Sequence, residues 1–404
     1  MSQNNQTIKV NDSVQWIGIL DSELESFDIV MKTEYGTTYN SYFINAEKKA
    51  IIETSKENFK DIYLDKVKSV CDPAELEYII LNHTEPDHSG NLKHLLELAP
   101  NATVVGSGQA LNYLSEMVGR PFKSQKVKDG DVIDLGNKKL RVIGAPNLHW
   151  PDSIYTYLEE DKILFTCDSF GAHYCKEEMF DDKVGDYDDA FKYYFDVILK
   201  PFSKFILKAI DKIRPLEINT ICTGHGPILR SNWKKYVDLS EKWAKEYLEN
   251  TSKDKRVLLA YISAYGYTKE MAKQIKIGLE QFDDISIEMI DIENMLLGEL
   301  EEQVVKSDAI IIGSPTINQN TLLPIYRLLS VINPIRDKGK FYATFGSYGW
   351  SGEAPKIIQE NLKNLKLKPV SEALIAKFFP HDEKSDQFIE FGRKFGEAVL
   401  ISAE

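Results

Sequence analysis

The sequence has few cysteines, no excess of basic residues and no long apolar run. Its cysteines, Cys71, Cys167, Cys175 and Cys222, form no CxxC pair, which excludes a thiolate zinc site and a rubredoxin-type iron site. Cysteines this scattered indicate reduced thiols rather than a disulfide framework. The formal net charge of −13 disfavours nucleic acid and anionic lipid as main partners, because both bind to basic surface.

Two further absences concern location. No apolar run approaches the length of a membrane span, and the first residues lack the basic and then apolar segments of a signal peptide. We therefore expect a cytoplasmic protein without a membrane partner. The length of 404 residues, with 43% hydrophobic and 27% charged residues, predicts a soluble chain of two domains.

A polar stretch at residues 250–255 separates two regular patterns and predicts a domain at 1–250 and another at 255–404. In the second domain, helical stretches separate five apolar runs, at 257–262, 285–292, 309–313, 341–345 and 373–378. This alternation predicts a doubly wound parallel sheet with right-handed crossovers. In the first domain, shorter apolar runs with helical patterns near 108–118 and 186–214 indicate sheets covered by helices, but periodicity leaves their topology open.

Side chains of the metal-ligand type follow strand-like runs in the first domain. Four of them lie within residues 83–88, and three more follow other apolar runs. Polar residues at the carboxyl ends of strands can converge on one crevice. An acidic cap on a helix over Leu92–Leu98 would explain the first cluster alone. The sequence predicts a metal site whose ligands are His83, Glu85, Asp87, His88, His149, Asp168 and His225.

Three loops rich in hydroxyl groups and glycine follow the first, third and fourth strands of the second domain. A turn that opens a helix presents N–H groups and the positive end of the helix dipole to a phosphate, although a plain helix cap has the same pattern. Neither a Walker loop nor a dinucleotide fingerprint is present. In a strand order of 2-1-3-4-5, the three loops meet at one switch point. The predicted binding residues are Ser263, Ala264, Tyr265, Gly266, Tyr267 and Thr268; Pro315, Thr316, Ile317 and Asn318; and Ser347, Tyr348, Gly349, Trp350, Ser351 and Gly352.

The motif His-x-Glu-x-Asp-His at 83–88, with His149, Asp168 and Gly224-His225-Gly226, resembles the metal framework of the metallo-β-lactamase superfamily. Hydrolases of that superfamily typically have a histidine in place of Glu85. The loops of the second domain resemble those of flavodoxins, except that Tyr267 replaces a common asparagine. The two together, in this order and over nearly the whole chain, resemble a flavodiiron protein.

The resemblance implies an N-terminal metallo-β-lactamase-like αββα sandwich and a C-terminal flavodoxin-like doubly wound parallel sheet. It implies an oxidoreductase with FMN and two non-haem irons that reduces dioxygen to water, nitric oxide to nitrous oxide, or both, as detoxification in an anaerobe. The phosphate of FMN would lie in the first loop, and Tyr348 and Trp350 would cover its ring unless they are ordinary core aromatics. Electrons would come from an external carrier such as rubredoxin.

The resemblance also implies roles for individual residues. One iron would take His83, Glu85 and His149, the other would take Asp87, His88 and His225, and Asp168 would bridge the two. Segments 171–175 and 193–194 resemble pocket-lining segments of the family, so His173 and Tyr194 are catalytic candidates; a structural role for His173 stays open. The working unit would be a head-to-tail homodimer, or a tetramer, with the FMN of one chain against the irons of its partner.

Two other functions remain open from the residues alone. One is a zinc hydrolase of the glyoxalase or lactamase type with a flavodoxin attached, and the other is a pure electron carrier whose first domain is structural. A donor set that mixes histidines with several carboxylates suits iron that changes oxidation state, whereas imidazoles suit zinc. Glu85 therefore disfavours the hydrolase, and the seven ligands disfavour the carrier.

Overall fold

The computed structural model describes residues 6–28, 31–249, 255–378 and 382–401. The chain forms two compact units, one of Met1–Glu25 and Thr33–Glu249 and the other of Ser26–Lys32 and Asn250–Glu404. The sequence placed residues 26–32 in the first domain, whereas the structure packs them with the second unit. The segment packs closely there, since a Cβ on Gly298 would lie only 2.7 Å from Cβ of Lys32. Of the predicted linker at 250–255, all but Lys255 lies outside the described residues.

The strands and helices that precede residue 250 are short and numerous. The strands are β1 (Ile8–Lys9), β2 (Val14–Trp16), β3 (Ile19–Asp21), β4 (Ser26–Phe27), β5 (Met31–Lys32), β6 (Thr37–Tyr39), β7 (Tyr42–Ile44), β8 (Lys49–Ile52), β9 (Leu76–Ile80), β10 (Thr103–Ser107), β11 (Ser124–Val127), β12 (Val132–Asp134), β13 (Lys139–Gly144), β14 (Ile154–Leu158), β15 (Ile163–Cys167) and β16 (Thr220–Thr223). The helices are α1 (Lys60–Val70), α2 (Pro86–Ser89), α3 (Leu92–Leu98), α4 (Gly108–Val118), α5 (Asp188–Tyr194), α6 (Ser203–Ile213) and α7 (Trp233–Glu249).

Two sheets form the centre of the first unit. Over the described residues, one sheet has seven strands in the order β1-β2-β7-β8-β9-β10-β11, and the other has five in the order β12-β13-β14-β15-β16. Side chains of both sheets share one hydrophobic core, in which Ile52 and Ile80 of the first sheet join Val142 and Phe165 of the second. The two sheets share a core because each buries one face. In β13, for example, Leu140 and Val142 are buried while their neighbours Lys139 and Arg141 are exposed, which is the alternation of a strand with one buried face.

The predicted helical stretch at 186–214 is interrupted in the structure. After α5 the chain makes a wide π turn at Phe195–Leu199 and a 3₁₀ turn at Lys200–Phe202 before α6 begins. Pro201 lies in the 3₁₀ turn, and a proline cannot continue an α-helix because it lacks an N–H group and its ring clashes with the preceding turn. The predicted helices over Leu92–Leu98 and 108–118 have the predicted bounds.

The second unit is the predicted parallel sheet covered by helices. Its strands are β17 (Lys255–Tyr261), β18 (Ile285–Asp291), β19 (Ala309–Gly313), β20 (Phe341–Tyr348), β21 (Lys368–Pro369) and β22 (Leu374–Lys377), and its helices are α8 (Tyr267–Leu279), α9 (Leu297–Lys306), α10 (Leu323–Ser330), α11 (Ala354–Asn364) and α12 (Asp382–Ile401).

The strand order is β18-β17-β19-β20, with β21 and β22 both paired to β20 and every pair parallel. The predicted order 2-1-3-4-5 is therefore confirmed, with the last strand divided in two. Strand β17 buries Leu258 and Ala260 in one core, and Val257 and Leu259 in the core on the opposite face. Burial on both faces is typical of parallel sheets between helices. Among the described residues, no helix combines the length and apolar character needed to cross a membrane.

Candidate functional site

Strand ends and the turns after them position the predicted ligands of the first unit. His83 and Glu85 lie between β9 and α2, and Asp87 and His88 lie in the first turn of α2 itself. Asp168 directly follows β15, where Cys167 adopts a φ of 50°. His149 lies between β13 and β14, and His225 lies just after β16. Six of the seven side chains are buried or nearly so, whereas His149 is 20% exposed at the side chain.

The seven side chains form two groups of donor atoms. In the first group, donor atoms of His83, Glu85, His149 and Asp168 lie within 4.8 Å of one another, and in the second group those of Asp87, His88 and His225 do so. Oε2 of Glu85 lies 2.9 Å from Nε2 of His149 and 3.3 Å from Nε2 of His83. In the second group, Oδ2 of Asp87 lies 3.1 Å from Nε2 of His225.

Asp168 connects the two groups. Its Oδ1 lies 3.2 Å from Nε2 of His88 and 3.5 Å from Nε2 of His225. Its Oδ2 lies 3.5 Å from Nε2 of His83 and 3.6 Å from Nε2 of His149. Each oxygen of one carboxylate therefore faces a different group of histidines, as in a carboxylate that bridges two metal ions.

The charges of this cluster fit cations. Burial disfavours the charged form of Asp168, but His88, His83 and His149 outweigh it and hold the pKa of Asp168 well below its usual value. Burial likewise opposes the charge on His88, yet Asp87 and Asp168 raise its pKa to about 10. Within the described part of the chain, Oδ1 of Asp87 and Oδ2 of Asp168 are buried without a hydrogen-bond partner. Buried carboxylate oxygens left open in this way are characteristic of a metal site.

Further polar groups orient the histidines, and the sequence did not single them out. Oδ2 of the buried Asp152 lies 3.2 Å from Nδ1 of His83 and accepts hydrogen bonds from N and Oγ1 of Thr84, each at 2.8 Å. The carbonyl oxygen of Thr38 lies 2.6 Å from Nδ1 of His225. Acceptors behind the distal ring nitrogen fix the tautomer and orientation of a metal-binding histidine. Asp152 lies three residues after His149, a signal that could have identified it.

The two predicted catalytic residues lie beside the second group. Tyr194 donates a 3.1 Å hydrogen bond to Oδ1 of Asp168. The ring of His173 lies 4.8 Å from that of Tyr194 and 5.3 Å from that of His225, and its Nδ1 lies 2.9 Å from Oγ1 of Thr37. Burial first, and then the neighbouring His225, lower the pKa of His173 well below its usual value, so this ring is neutral at physiological pH.

The three predicted loops of the second unit are joined through Ser347. Its Oγ lies 2.9 Å from Oγ1 of Thr268 in the first loop, and its carbonyl oxygen accepts a 2.8 Å hydrogen bond from N of Thr316 in the second. The side chain of Thr268 is buried, and its hydroxyl is hydrogen-bonded to Ser347. In the same loop, Oγ of Ser263 accepts a hydrogen bond from N of Lys269. The predicted convergence of the loops at one sheet edge is confirmed.

The first loop has the backbone of an anion site. Gly266 has a φ of 86° and directly precedes α8, which starts at Tyr267, so the open N–H groups of that helix face the loop. The sequence left open that Tyr348 and Trp350 are core aromatics. Trp350 is 75% exposed and is therefore not a core residue, whereas Tyr348 is half-buried; Tyr265 of the first loop is 82% exposed. Apolar rings held at a loop surface can cover a planar ligand.

The fold and the site define a two-domain metalloflavoprotein. The model of the ODP family beta lactamase matches residues 37–226, which include all seven predicted ligands, and the flavodoxin model matches residues 259–391. The flavo-diiron protein FprA2 of Clostridium acetobutylicum is 41% identical, and the match covers 97% of this chain and 99% of that protein. The type A flavoprotein fprA of Rhodobacter capsulatus is 36% identical, with 96% and 91% covered.

Solved structures agree with these relatives. The flavodiiron protein from Giardia intestinalis matches with a TM-score of 0.80 and 27% identity over 98% of each chain. The rubredoxin oxygen:oxidoreductase from Desulfovibrio gigas matches with a TM-score of 0.80 and 25% identity, over 98% of this chain and 99% of that one. The chain belongs to the flavodiiron protein family. It is an oxidoreductase with FMN and a diiron site as cofactors, and the predicted fold class and cofactors are confirmed.

Proposed function

We propose that this protein reduces dioxygen to water, nitric oxide to nitrous oxide, or both, with electrons that pass from an external carrier through FMN to the diiron site. The observation that carries the proposal is the position of Asp168, whose two carboxylate oxygens face two separate groups of histidines. A hydrolase site with a single metal ion needs no such carboxylate. The presence of a flavodoxin-like unit in the same chain supports electron transfer as the purpose of the metal pair.

The ligands are assigned from the two groups of donor atoms. One iron would be held by His83, Glu85 and His149 and the other by Asp87, His88 and His225, and Asp168 would serve both. Three carboxylates among four imidazoles suit iron that alternates between ferrous and ferric forms, because carboxylate charge offsets the additional positive charge of the ferric ion.

Two ferrous ions and one reduced FMN together supply the four electrons that conversion of dioxygen to two waters requires, whereas coupling of two nitric oxide molecules requires two.

The protein's own residues prepare the site. The O–H group of Tyr194 holds Oδ1 of Asp168 in place, and Asp152 fixes the ring of His83. The burial of Tyr194, His173 and Phe170 excludes bulk water from this side of the ligands.

The flavin assignment rests on the three joined loops. The N-terminus of α8 and the hydroxyl of Ser263 would hold the phosphate of FMN, because backbone N–H groups and the helix dipole favour an anion there. Residues 315–318 and 347–352 would flank the isoalloxazine ring, and Trp350 would cover one face of it. We propose an external carrier as the electron donor, and the name of the Desulfovibrio gigas structure, a rubredoxin oxygen:oxidoreductase, supports rubredoxin or a protein of that kind.

Metal analysis and single-turnover chemistry test this function. Purified protein should contain about two irons and one FMN per chain. The protein is then reduced anaerobically and mixed with stoichiometric dioxygen or nitric oxide, and the products are measured with the reoxidation of the flavin. Water without hydrogen peroxide, or nitrous oxide, is expected. Full activity with zinc as the only metal, or peroxide as the main product, would contradict the proposal.

We also propose that the working unit is a head-to-tail dimer in which the FMN of one chain serves the irons of its partner, because a two-fold axis creates both such contacts at once. Two inactive variants test this, Asp168→Ala without the iron pair and Gly266→Asp with a blocked phosphate loop. Mixed and reassembled, they should recover part of the activity. If labelled chains exchange but no activity returns, electrons pass within one chain and the dimer proposal is wrong.

A further inference from the structure

A line of aromatic rings runs through the first unit to its surface. The ring centroids of Tyr35 and Tyr174 are 5.2 Å apart, those of Tyr174 and Tyr187 are 5.2 Å apart, and those of Tyr187 and Tyr236 are 5.0 Å apart. Phe191 then lies 4.7 Å from Tyr236. Centroid distances in this range place neighbouring rings in direct contact. Tyr187 and Tyr236 are buried, whereas Tyr35 is partly exposed.

The inner end of this line reaches the metal ligands through α5. Phe191 and Tyr194 are three residues apart in that helix and therefore lie on one face of it. Tyr187 is the N-cap residue of the helix, and its carbonyl oxygen accepts a 2.9 Å hydrogen bond from N of Phe191. At 1.5 Å per residue, Tyr187 and Tyr194 are about 10 Å apart along the helix axis, with Phe191 between them. The phenol of Tyr194 donates its hydrogen bond to Asp168, the carboxylate between the two ligand groups.

The outer end carries a proton acceptor. The phenol of Tyr35 donates a 2.8 Å hydrogen bond to Oδ2 of Asp189. This bond is the largest cause of a raised pKa of Tyr35, about 12, so the phenol is protonated at neutral pH. A phenol that loses an electron becomes strongly acidic, and Asp189 is positioned to take its proton. Tyr174 lacks this arrangement, because its O–H donates to the backbone carbonyl of Val184, which is a weak base.

We propose that Tyr194, Tyr187, Tyr174 and Tyr35 form a redox chain through which Tyr35 supplies one electron to the buried site when the flavin has not delivered the full complement. The proposal rests on the proposed function, which supplies an oxidised centre beside Asp168. One electron moves inward along the chain, the O–H proton of Tyr35 moves to Asp189, and Tyr35 becomes a neutral phenoxyl radical. The three inner tyrosines each give and receive one electron and end unchanged.

The chain is reset from solution. A small thiol gives one hydrogen atom to the phenoxyl oxygen of Tyr35 and becomes a thiyl radical, and Asp189 releases its proton to water. An oxidising equivalent that would otherwise damage the ligands is thus moved to a solvent-facing side chain. This function is distinct from the flavin route, because it delivers single electrons and begins at the first unit's own surface.

Freeze-quench electron paramagnetic resonance tests the proposal in the iron- and FMN-loaded protein. The protein is reduced with less than its full complement of electrons, mixed with dioxygen without thiol and frozen. We expect a neutral tyrosyl radical, identified by the narrowing of its hyperfine pattern when the chain carries ring-deuterated tyrosine. Iron content, FMN content and gas consumption are measured on the same samples.

Three conservative variants and a control locate the radical. Tyr35→Phe should abolish the Tyr35 signal, and Tyr187→Phe or Tyr174→Phe should abolish its formation at Tyr35, because phenylalanine keeps the packing and is far harder to oxidise. Tyr78→Phe, at a partly buried tyrosine of the same unit, should leave the signal unchanged. Absence of a radical from active wild-type protein, or a signal that persists in Tyr35→Phe, refutes the chain while the proposed function stands. Protein that consumes no gas at all refutes the proposed function instead.

Discussion

Tyr194 donates a 3.1 Å hydrogen bond to Oδ1 of Asp168, the oxygen that faces His88 and His225. Replacement of Tyr194 by phenylalanine removes this bond and leaves the buried ring in place. A hydrogen bond to a charged group contributes roughly 1.5–3 kcal/mol, and we expect the variant to keep its iron and to turn over about tenfold more slowly. Iron analysis and steady-state rates check this, with Tyr193→Phe on the same helix as the control. Loss of iron in parallel with activity would show that the tyrosine only holds the ligands.

Asp152 should set the metal affinity of the first group. Its carboxylate lies against Nδ1 of His83 and accepts two bonds from Thr84. Removal of such an outer acceptor lowers metal affinity by about 10–100-fold, and we expect Asp152→Asn to lose iron to a chelator at concentrations that wild-type protein withstands. Asp129→Asn is a suitable control, since Asp129 also accepts a backbone bond, from Gly144, but at an exposed site. Equal iron retention in the two variants would exclude an orienting role for Asp152.

Gly224 leaves room for His88. A Cβ at this position would lie 2.8 Å from Cε1 of His88 and 2.9 Å from the backbone carbon of Cys167, and neither can move freely in a packed site. We expect Gly224→Ala to lower the free energy of unfolding by about 1–3 kcal/mol, measured by thermal unfolding of metal-free protein. It should also lower the affinity of the second group of ligands for iron, measured by iron titration. Gly108→Ala creates a similar approach, 2.9 Å to Cε of Lys126, but the lysine can swing away. Similar losses in both variants would contradict this explanation.

Two substitutions of Gly266 distinguish the backbone conformation that the phosphate loop requires from the charge that it tolerates. The residue has a φ of 86°, and nothing lies within 4 Å of the position of its Cβ. Asparagine tolerates this backbone region better than most residues, whereas aspartate adds a negative charge beside the expected phosphate. We expect Gly266→Asn to retain most FMN and Gly266→Asp to lose it, measured from the fluorescence of released flavin. If both variants bind FMN equally, the phosphate does not lie in this loop.

Lys66 should make stability depend on pH. Its side chain is buried, with Nζ bonded to the carbonyl oxygen of Gly18 and 4.4 Å from the centroid of the Trp16 ring. Burial lowers the pKa of Lys66 to about 7, whereas an unfolded lysine has a pKa of about 10.4. Between these values the unfolded chain binds more protons than the folded one, so this lysine makes stability rise with pH.

The matched variant is Lys66→Met, which keeps an apolar stem of similar length. We expect it to be more stable than wild-type protein at pH 7, where the cost of a buried lysine is largest, and this advantage should shrink towards pH 10. Urea unfolding at several pH values measures the difference, with the exposed Lys68→Met as control. An advantage that does not change with pH would show that Lys66 is not buried in its neutral form.

The sequence by itself determined the two-unit organisation and the parallel sheet, because these follow from the local alternation of strands and helices. The strand order came with the flavodoxin-type arrangement that would bring the three loops together. It also determined which side chains could be ligands, since a histidine or carboxylate after a strand is visible without a structure. Residues 83–88 include such ligands, and the phosphate loop before α8 is likewise visible as a turn that opens a helix. The resemblance to a family added the pairing of the ligands with two irons.

Only the tertiary structure decided the features that join residues far apart in the chain. The two oxygens of Asp168 face two groups because β15 and β16 are parallel neighbours, which brings His225 beside Asp168, and because His88 of α2 reaches the same carboxylate. Asp152 reaches His83 across 69 residues, and Ser347 joins loops that no local pattern connects. The antiparallel strands β4 and β5 belong to the second unit, where β5 contacts α9. The sequence could not show this contact, because α9 begins only at Leu297. Such contacts depend on packing, which residue types and spacing restrict but do not specify.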